Sequence, residues 1–120
     1  MIKIKRIYEE FSKNDGYRIL VDRLWPRGIS KERAKIDSWL IEVTPSNYLR
    51  KWYSHDPKKW KEFQIKYKKE LKDKSDTLDD IKHIEKEKKI VTLLYAAKDK
   101  QHTHAIVLLK ILEKMSITLK

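Results

Sequence analysis

The chain of 120 residues has no cysteine. Disulfides, thiolate metal sites and cysteine nucleophiles are therefore excluded, and an oxidising compartment is not favoured. Glycine is almost as scarce: Gly16 and Gly28 are the only two, too few for a glycine-rich phosphate loop, which disfavours a nucleotide-triphosphate fold. No serine stands in a nucleophile-elbow pattern, which disfavours a hydrolase triad. No apolar run approaches the roughly 18 residues of a membrane span, and the opening MIKIKRIYEE lacks the apolar region of a signal peptide. These absences predict a cytoplasmic protein with no membrane partner, and no motif calls for a cofactor.

What is present suits one packed domain over residues 1–120, with 40% hydrophobic and 10% aromatic residues. The formal charge is +11, from 29 Lys and Arg against 18 Asp and Glu. Such an excess favours anionic partners and allows nonspecific adhesion to nucleic acid. The two kinds of cation are not mixed, however. All six arginines (Arg6, Arg18, Arg23, Arg27, Arg33 and Arg50) lie in the first fifty positions, while the surplus lysine is concentrated after Lys58. Lysine is a hydrated point charge suited to a solvated surface, whereas arginine offers a planar fork that grips carboxylate or phosphate in two places. Arginine placement is therefore the more informative.

The pattern along the chain is that of a continuous α/β unit. KIKRIY alternates with period two and predicts a half-exposed strand over Ile2 to Tyr8; NDG is turn chemistry leading into the strand YRILV. Gly28 permits a tight turn, and Ser30 caps a short helix over Lys31 to Lys35. IDSWLIEV reads equally as strand or helix. Thr44 before Pro45 reads as a cap and first-turn proline for a helix through about Tyr53. Asp56 and Pro57 repeat that signal, and Trp60, Phe63, Tyr67 and Leu71 then recur at helical spacing. A further helix starts near Asp76 or Thr77, with Leu78, Ile81 and Ile84 inward. KIVTLLYAA is nearly continuous, as in a strand covered on both faces, and is the candidate central strand. HAIVLLKIL is a packed helix, and SITL at Ser116 to Leu119 returns as a last parallel strand. The expected fold is a small single-domain α/β structure: a partly parallel sheet flanked by helices in a Rossmann-like three-layer arrangement.

In such sheets ligands sit beyond the carboxyl ends of the strands. Two such ends are dense in polar groups. DRLWPRG, after strand 17–21, supplies Asp22, Arg23, Trp25 and Arg27; AKDKQHTH, after strand 90–95, supplies Lys98, Asp99, His102 and His104. If the strands are neighbours, these residues meet in one crevice.

The runs DGYRILVDRLWPRGISK, LRKWYSHDPKKWKEF and LLYAAKDKQHTHAIVL resemble the three signature blocks of the YeaO-like family, a branch of domain-of-unknown-function family 488, over Ile2 to about Leu112. The resemblance implies a small α/β domain and brings no reaction with it. Its polar positions fall on Asp22, Arg23, Trp25, Pro26, Arg27 and Gly28 in the first block. In the second they are Arg50, Lys51, Trp52, His55, Asp56, Pro57 and Trp60; in the third, Lys98, Asp99 and His102. Related branches look to carry cysteine and arginine around the last block. This chain has neither there, so a thiol-based role does not transfer.

The leading expectation is a small-anion or nucleotide-type ligand site lined by Asp22, Arg23, Trp25, Arg27, Lys51, His55, Lys98, Asp99 and His102, with His55, His102 and Asp22 as candidates for catalysis. Arg23 and Arg27 present forks to the anion, Asp22 orients one of them and Trp25 walls the pocket. The structural alternative is an Asp22–Arg23 ion pair locking the loop, with Trp25 and Pro26 as a hydrophobic plug. A metal site of His55, Asp99, His102 and His104 is a weaker alternative, since their spacing is no metal signature. His102 and His104 serve more simply as hydrogen-bonding groups at a helix entrance, or as an acid or base. A third class is a nucleic-acid module using the lysines from Lys58 to Lys74, but Trp60, Phe63 and Tyr67 on one helical stripe belong in a core rather than on a stacking surface. The last is an interaction domain with no ligand.

Overall fold

The computed structural model describes residues 1–115; the strand expected over 116–119 lies outside the described residues. Four strands, β1 (Ile2–Arg6), β2 (Tyr17–Leu20), β3 (Ser38–Trp39) and β4 (Val91–Tyr95), form one sheet in the order β1-β4-β2-β3. Every pairing is parallel, with Ile2 opposite Val91, Tyr17 opposite Val91 and Ile19 opposite Ser38. The strand formed last in sequence is thus inserted between the first two. All five β4 residues are buried, as its unbroken apolar run requires of a strand covered on both faces.

Five helices flank the sheet: α1 (Lys31–Ala34), α2 (Asn47–Tyr53), α3 (Trp60–Leu71), α4 (Ser75–Lys88) and α5 (His104–Lys114). The two faces are covered unequally. Ile19, Val21, Val91, Leu93 and Tyr95 pack with Leu49 and Tyr53 of α2, Phe63, Tyr67 and Leu71 of α3, Leu78 and Ile81 of α4, and Val107, Leu108 and Leu112 of α5. On the other face Leu20 and Leu94 cluster with Ile7, Ile29 and Ala34, with Tyr8, Trp25, Ile36 and Ala96 packed against them partly buried. That third layer is one helical turn and its flanking loops.

A buried ion cluster reinforces the thin layer. Arg18 is 1% exposed; its Nε donates to Lys35 O at 3.1 Å and its Nη2 to Ala34 O at 2.8 Å, and it pairs with Asp15. The guanidinium thereby takes up the last carbonyls of α1, which no intrahelical donor reaches. Burial pushes the Asp15 carboxyl up, but hydrogen bonds from the Ser12 N–H and from Lys5 and Arg18 outweigh it and hold the group below the ordinary aspartate value. Gly16 enters β2 at φ +64°, and a Cβ there would lie 2.2 Å from Ile90 O.

The caps at Ser30 and Asp56 are as expected: their side chains accept from Arg33 N and Lys58 N. Thr44 is not the cap of α2. Ser46 is, its Oγ accepting from Leu49 N, while Thr44 Oγ1 turns back to donate to Ile41 O. Glu70 of α3 settles the choice by accepting both Ser46 N at 2.8 Å and Ser46 Oγ at 2.6 Å. IDSWLIEV proves to be both things in part, the two-residue β3 followed by a 3₁₀ turn over Ile41–Val43. Among the described residues no helix is long and apolar enough to cross a membrane.

Candidate functional site

Because β4 lies directly beside β2, the loops leaving their carboxyl ends face each other across a crevice of about 750 Å³. Both loops are tied down by side chains bonded to backbone carbonyls. In the first, Gly28 takes φ +74°; Trp25 Nε1 donates to Ile29 O at 2.8 Å, Tyr8 Oη to Arg27 O at 2.8 Å and Trp39 Nε1 to Asp22 O at 2.7 Å. Trp39 also stands edge-on to Trp25, with ring centroids 5.5 Å apart. In the second, Arg6 donates from Nε to Ala97 O and from Nη2 to Ala96 O, each at 2.9 Å. Asp99 Oδ1 accepts from Gln101 N and His102 N, and Tyr53 Oη donates to His102 O at 2.8 Å.

Asp22 clips the loops together. Its Oδ2 accepts from Ala96 N at 2.9 Å, and its Oδ1 lies 3.4 Å from His104 Nε2. No Asp22–Arg23 ion pair forms among the described residues; Arg23 Nε donates instead to Pro45 O at 3.0 Å. Burial raises the Asp22 carboxyl above the ordinary aspartate value, a rise only partly offset by His104, the Ala96 N–H and His55. His104 Nε2 also approaches Val21 O at 2.6 Å, and since a carbonyl only accepts, that nitrogen carries the hydrogen. His104 thus supplies hydrogen bonds at the entrance of α5, one of the two roles expected of it.

His102 has a different partner. Its Nδ1 lies 2.8 Å from Asp99 Oδ2, and its ring stands edge-on to Trp60 at 5.5 Å. Asp99, exposed, is held below the ordinary aspartate value first by that histidine and then by the Gln101 N–H. The Tyr53 hydroxyl is pushed up to about 12 by burial and by the carboxylates of Asp99 and Asp56.

Eight of the nine residues expected to bind a ligand line the crevice: Asp22, Arg23, Trp25 and Arg27 from one loop, Lys98, Asp99 and His102 from the other, and His55 beyond α2. Lys51 does not, and Arg50 does. On α2, Leu49 and Tyr53 are buried; at 100° per residue Lys51 falls about 200° from Leu49, on the opposite side of the helix, whereas Arg50 is a single step away. That phase was available in the sequence once Leu49 and Tyr53 were recognised as core. Tyr8 and Tyr53 also line the crevice, and they have no local signal, since their positions follow from the packing of β1 and α2.

The charge balance follows. Arg23, Arg27, Arg50 and Lys98 line the crevice, and among the described residues none of them forms an ion pair with a carboxylate. The two crevice carboxylates are already engaged, Asp22 by Ala96 and His104 and Asp99 by its own loop. Among the described residues no three His, Asp or Glu side chains are gathered as a metal site requires; His55, Asp99, His102 and His104 line one crevice without forming such a group. Phe63 and Tyr67 are buried and Trp60 is packed against Tyr53 and Phe63, as their helical spacing implied.

Residues 1–118 match the family described as the inactive DUF488-N3 subclade. The chain is 43% identical over 107 residues to the uncharacterised protein YeaO of Escherichia coli strain K12, covering 89% of this chain and 92% of that one. It is 37% identical over 111 residues to an uncharacterised protein of Mycobacterium tuberculosis strain H37Rv, covering 92% of each chain. No solved structure matches the chain.

Proposed function

The chain belongs to the YeaO-like branch of the DUF488 family, in the subclade described as inactive, and from that premise we propose that its crevice binds a small anionic ligand without transforming it. The observation that carries the reading is the set of four crevice cations, Arg23, Arg27, Arg50 and Lys98, with no carboxylate partner among the described residues. Cations gathered at one place repel each other unless a counter-charge arrives, and Arg forks suit phosphate or carboxylate oxygens. Each charge-assisted hydrogen bond contributes roughly 1.5–3 kcal/mol. Three of the side chains that would otherwise suggest acid–base chemistry have structural duties. Asp22 joins the two loops, His104 binds Val21 O, and Asp99 organises its own turn. The description of the subclade as inactive agrees with binding rather than catalysis.

A ligand that binds only the folded state raises the melting temperature by mass action. Titrating the protein with inorganic phosphate at constant ionic strength, against chloride as control, should raise it progressively. A melt that phosphate, sulfate and small carboxylates all leave unmoved refutes the reading. The alternative of duplex binding through the lysine-rich face draws only on lysines there, since the aromatic rings beneath that face are packed inward.

A further inference from the structure

The same crevice carries two aromatic side chains that have spent their polar ends on the protein. Tyr8 Oη donates to Arg27 O and Trp25 Nε1 donates to Ile29 O, each at 2.8 Å. Neither retains a donor for a ligand, so each offers the crevice mainly ring carbon. The rest of that wall is also apolar, with Pro26, Ala96 and Ala97 beside them. Arg23 and Arg27 bracket Trp25 two positions to either side, so cationic and aromatic surfaces alternate along one short loop. A volume of about 750 Å³ lies well inside the roughly 300–1,000 Å³ of pockets that hold whole organic molecules. Phosphate alone would leave the aromatic wall facing water.

We infer that the ligand is an aromatic ring bearing a phosphate, of the size of a nucleoside monophosphate, with its ring against Trp25 and Tyr8 and its phosphate on the forks of Arg23 and Arg27. The inference rests on the anion-site reading and adds the chemistry of the other half of the ligand. Stacking on an aromatic side chain depends on the π-face and tolerates any base, so the choice among bases is weak.

The test is calorimetric titration of the full chain with inorganic phosphate, ribose 5-phosphate, adenosine and adenosine monophosphate, with tryptophan fluorescence as a second readout. Adenosine monophosphate should bind roughly tenfold or more tighter than ribose 5-phosphate. Trp25→Ala should sharply reduce that difference, with any cost of losing the tie to Ile29 O falling on both compounds alike, and Trp25→Phe, which keeps a ring at the same place, should restore most of it. Equal affinities for ribose 5-phosphate and adenosine monophosphate would overturn the aromatic half and leave the anion site standing. Adenosine binding as tightly as its monophosphate would overturn the anionic half. Failure of every phosphate compound to bind overturns the site itself. If Trp25→Ala does not fold, Trp25→Phe decides: a discrimination reduced in proportion to ring size supports stacking, and an unchanged one overturns it.

Discussion

Replacing Arg23 by Lys keeps the charge and removes the fork. In the folded protein the guanidinium is divided, its Nε donating to Pro45 O at 3.0 Å while no partner among the described residues is assigned to its two terminal nitrogens. An anchored Nε fixes the direction of the remaining pair, so an anion can be met by two parallel donors at little cost in side-chain freedom. Lysine offers one ammonium, which cannot hold Pro45 O and grip an anion bidentately at once. Losing one charge-assisted bond of about 1.5–3 kcal/mol weakens affinity roughly tenfold to a hundredfold. Stability should change by a few degrees in melting temperature at most, since the Pro45 carbonyl is only partly buried and recovers a bond to water when Arg23 Nε is lost. The assay is paired: calorimetric titration with phosphate, and thermal melts of both proteins without ligand. If Arg23 merely braces the loop on Pro45, the opposite pattern appears, with a markedly lower melt and anion affinity unchanged. That pattern, or an Arg23→Lys variant that binds phosphate as the wild type does, would refute the reasoning.

Three further outcomes follow from the packing. Asp15 is held below its ordinary value when folded, so its contribution is present above the unfolded aspartate value near 3.8 and is lost as pH falls through the lower folded value; denaturant titrations at falling pH should show stability dropping below about pH 4, with a shallower drop in Asp15→Asn. That variant should also be weaker by about 3 kcal/mol at neutral pH, because Arg18 would remain buried without its counter-charge. Gly16→Ala should cost about 3 kcal/mol or more, from a Cβ placed 2.2 Å from Ile90 O on a left-handed backbone; a melt within a degree of wild type would show that β2 shifts freely. Lys66, Lys68 and Lys69 replaced together by Gln should lose only about 1 kcal/mol, chiefly the contact of Lys66 Nζ over the Trp52 ring at 5.1 Å, and should bind duplex nucleic acid more weakly and with a flatter salt dependence; an unfolded triple variant would mean that this helix face is paired or buried.

Much of this fold could be read from local pattern. The runs YRILV and IVTLLYA are apolar apart from Arg18 and Thr92, as an interior strand requires, and among the described residues β2 and β4 are the interior strands. The sequence made the crevice conditional on the two strands being neighbours, and their parallel pairing in the sheet meets that condition and puts the two polar loops together. Where local pattern failed, a distant residue had decided the outcome. Thr44 and Ser46 are equal as caps in isolation, and Glu70, 24 residues beyond Ser46, binds one and not the other. Lys51 and Arg50 are equal as cations, and only the burial of Leu49 and Tyr53 fixes which one reaches the crevice.

The arginines show the same limit most fully, and it bears on how the site works. Their separation from lysine marked them as the informative cations, but not which of them are saturated. Arg6 and Arg18 are: the first caps the carbonyls of Ala96 and Ala97, the second those of Ala34 and Lys35 while paired to Asp15. Their partners are backbone carbonyls at the ends of β4 and α1, groups that every residue possesses and that no side-chain pattern reveals. Arg23, Arg27 and Arg50 differ in having no carboxylate partner among the described residues, although Arg50 Nη2 donates to Asn47 Oδ1 at 3.3 Å. The two sets are mechanically linked. Arg6 holds the loop that carries Lys98, while Tyr8, next along the chain from Ile7, holds the carbonyl of Arg27. A crevice whose loops are already tied by carbonyl bonds loses little further freedom when an anion enters, so the binding energy of the free forks appears as affinity rather than being consumed in ordering the loops. Cutting one such tie without removing a cation, as in Tyr8→Phe, should therefore weaken phosphate binding even though the crevice cations are untouched, and calorimetry should register the loss as a less favourable binding entropy; an unchanged entropy would mean that the loop stays ordered without the Tyr8 hydroxyl.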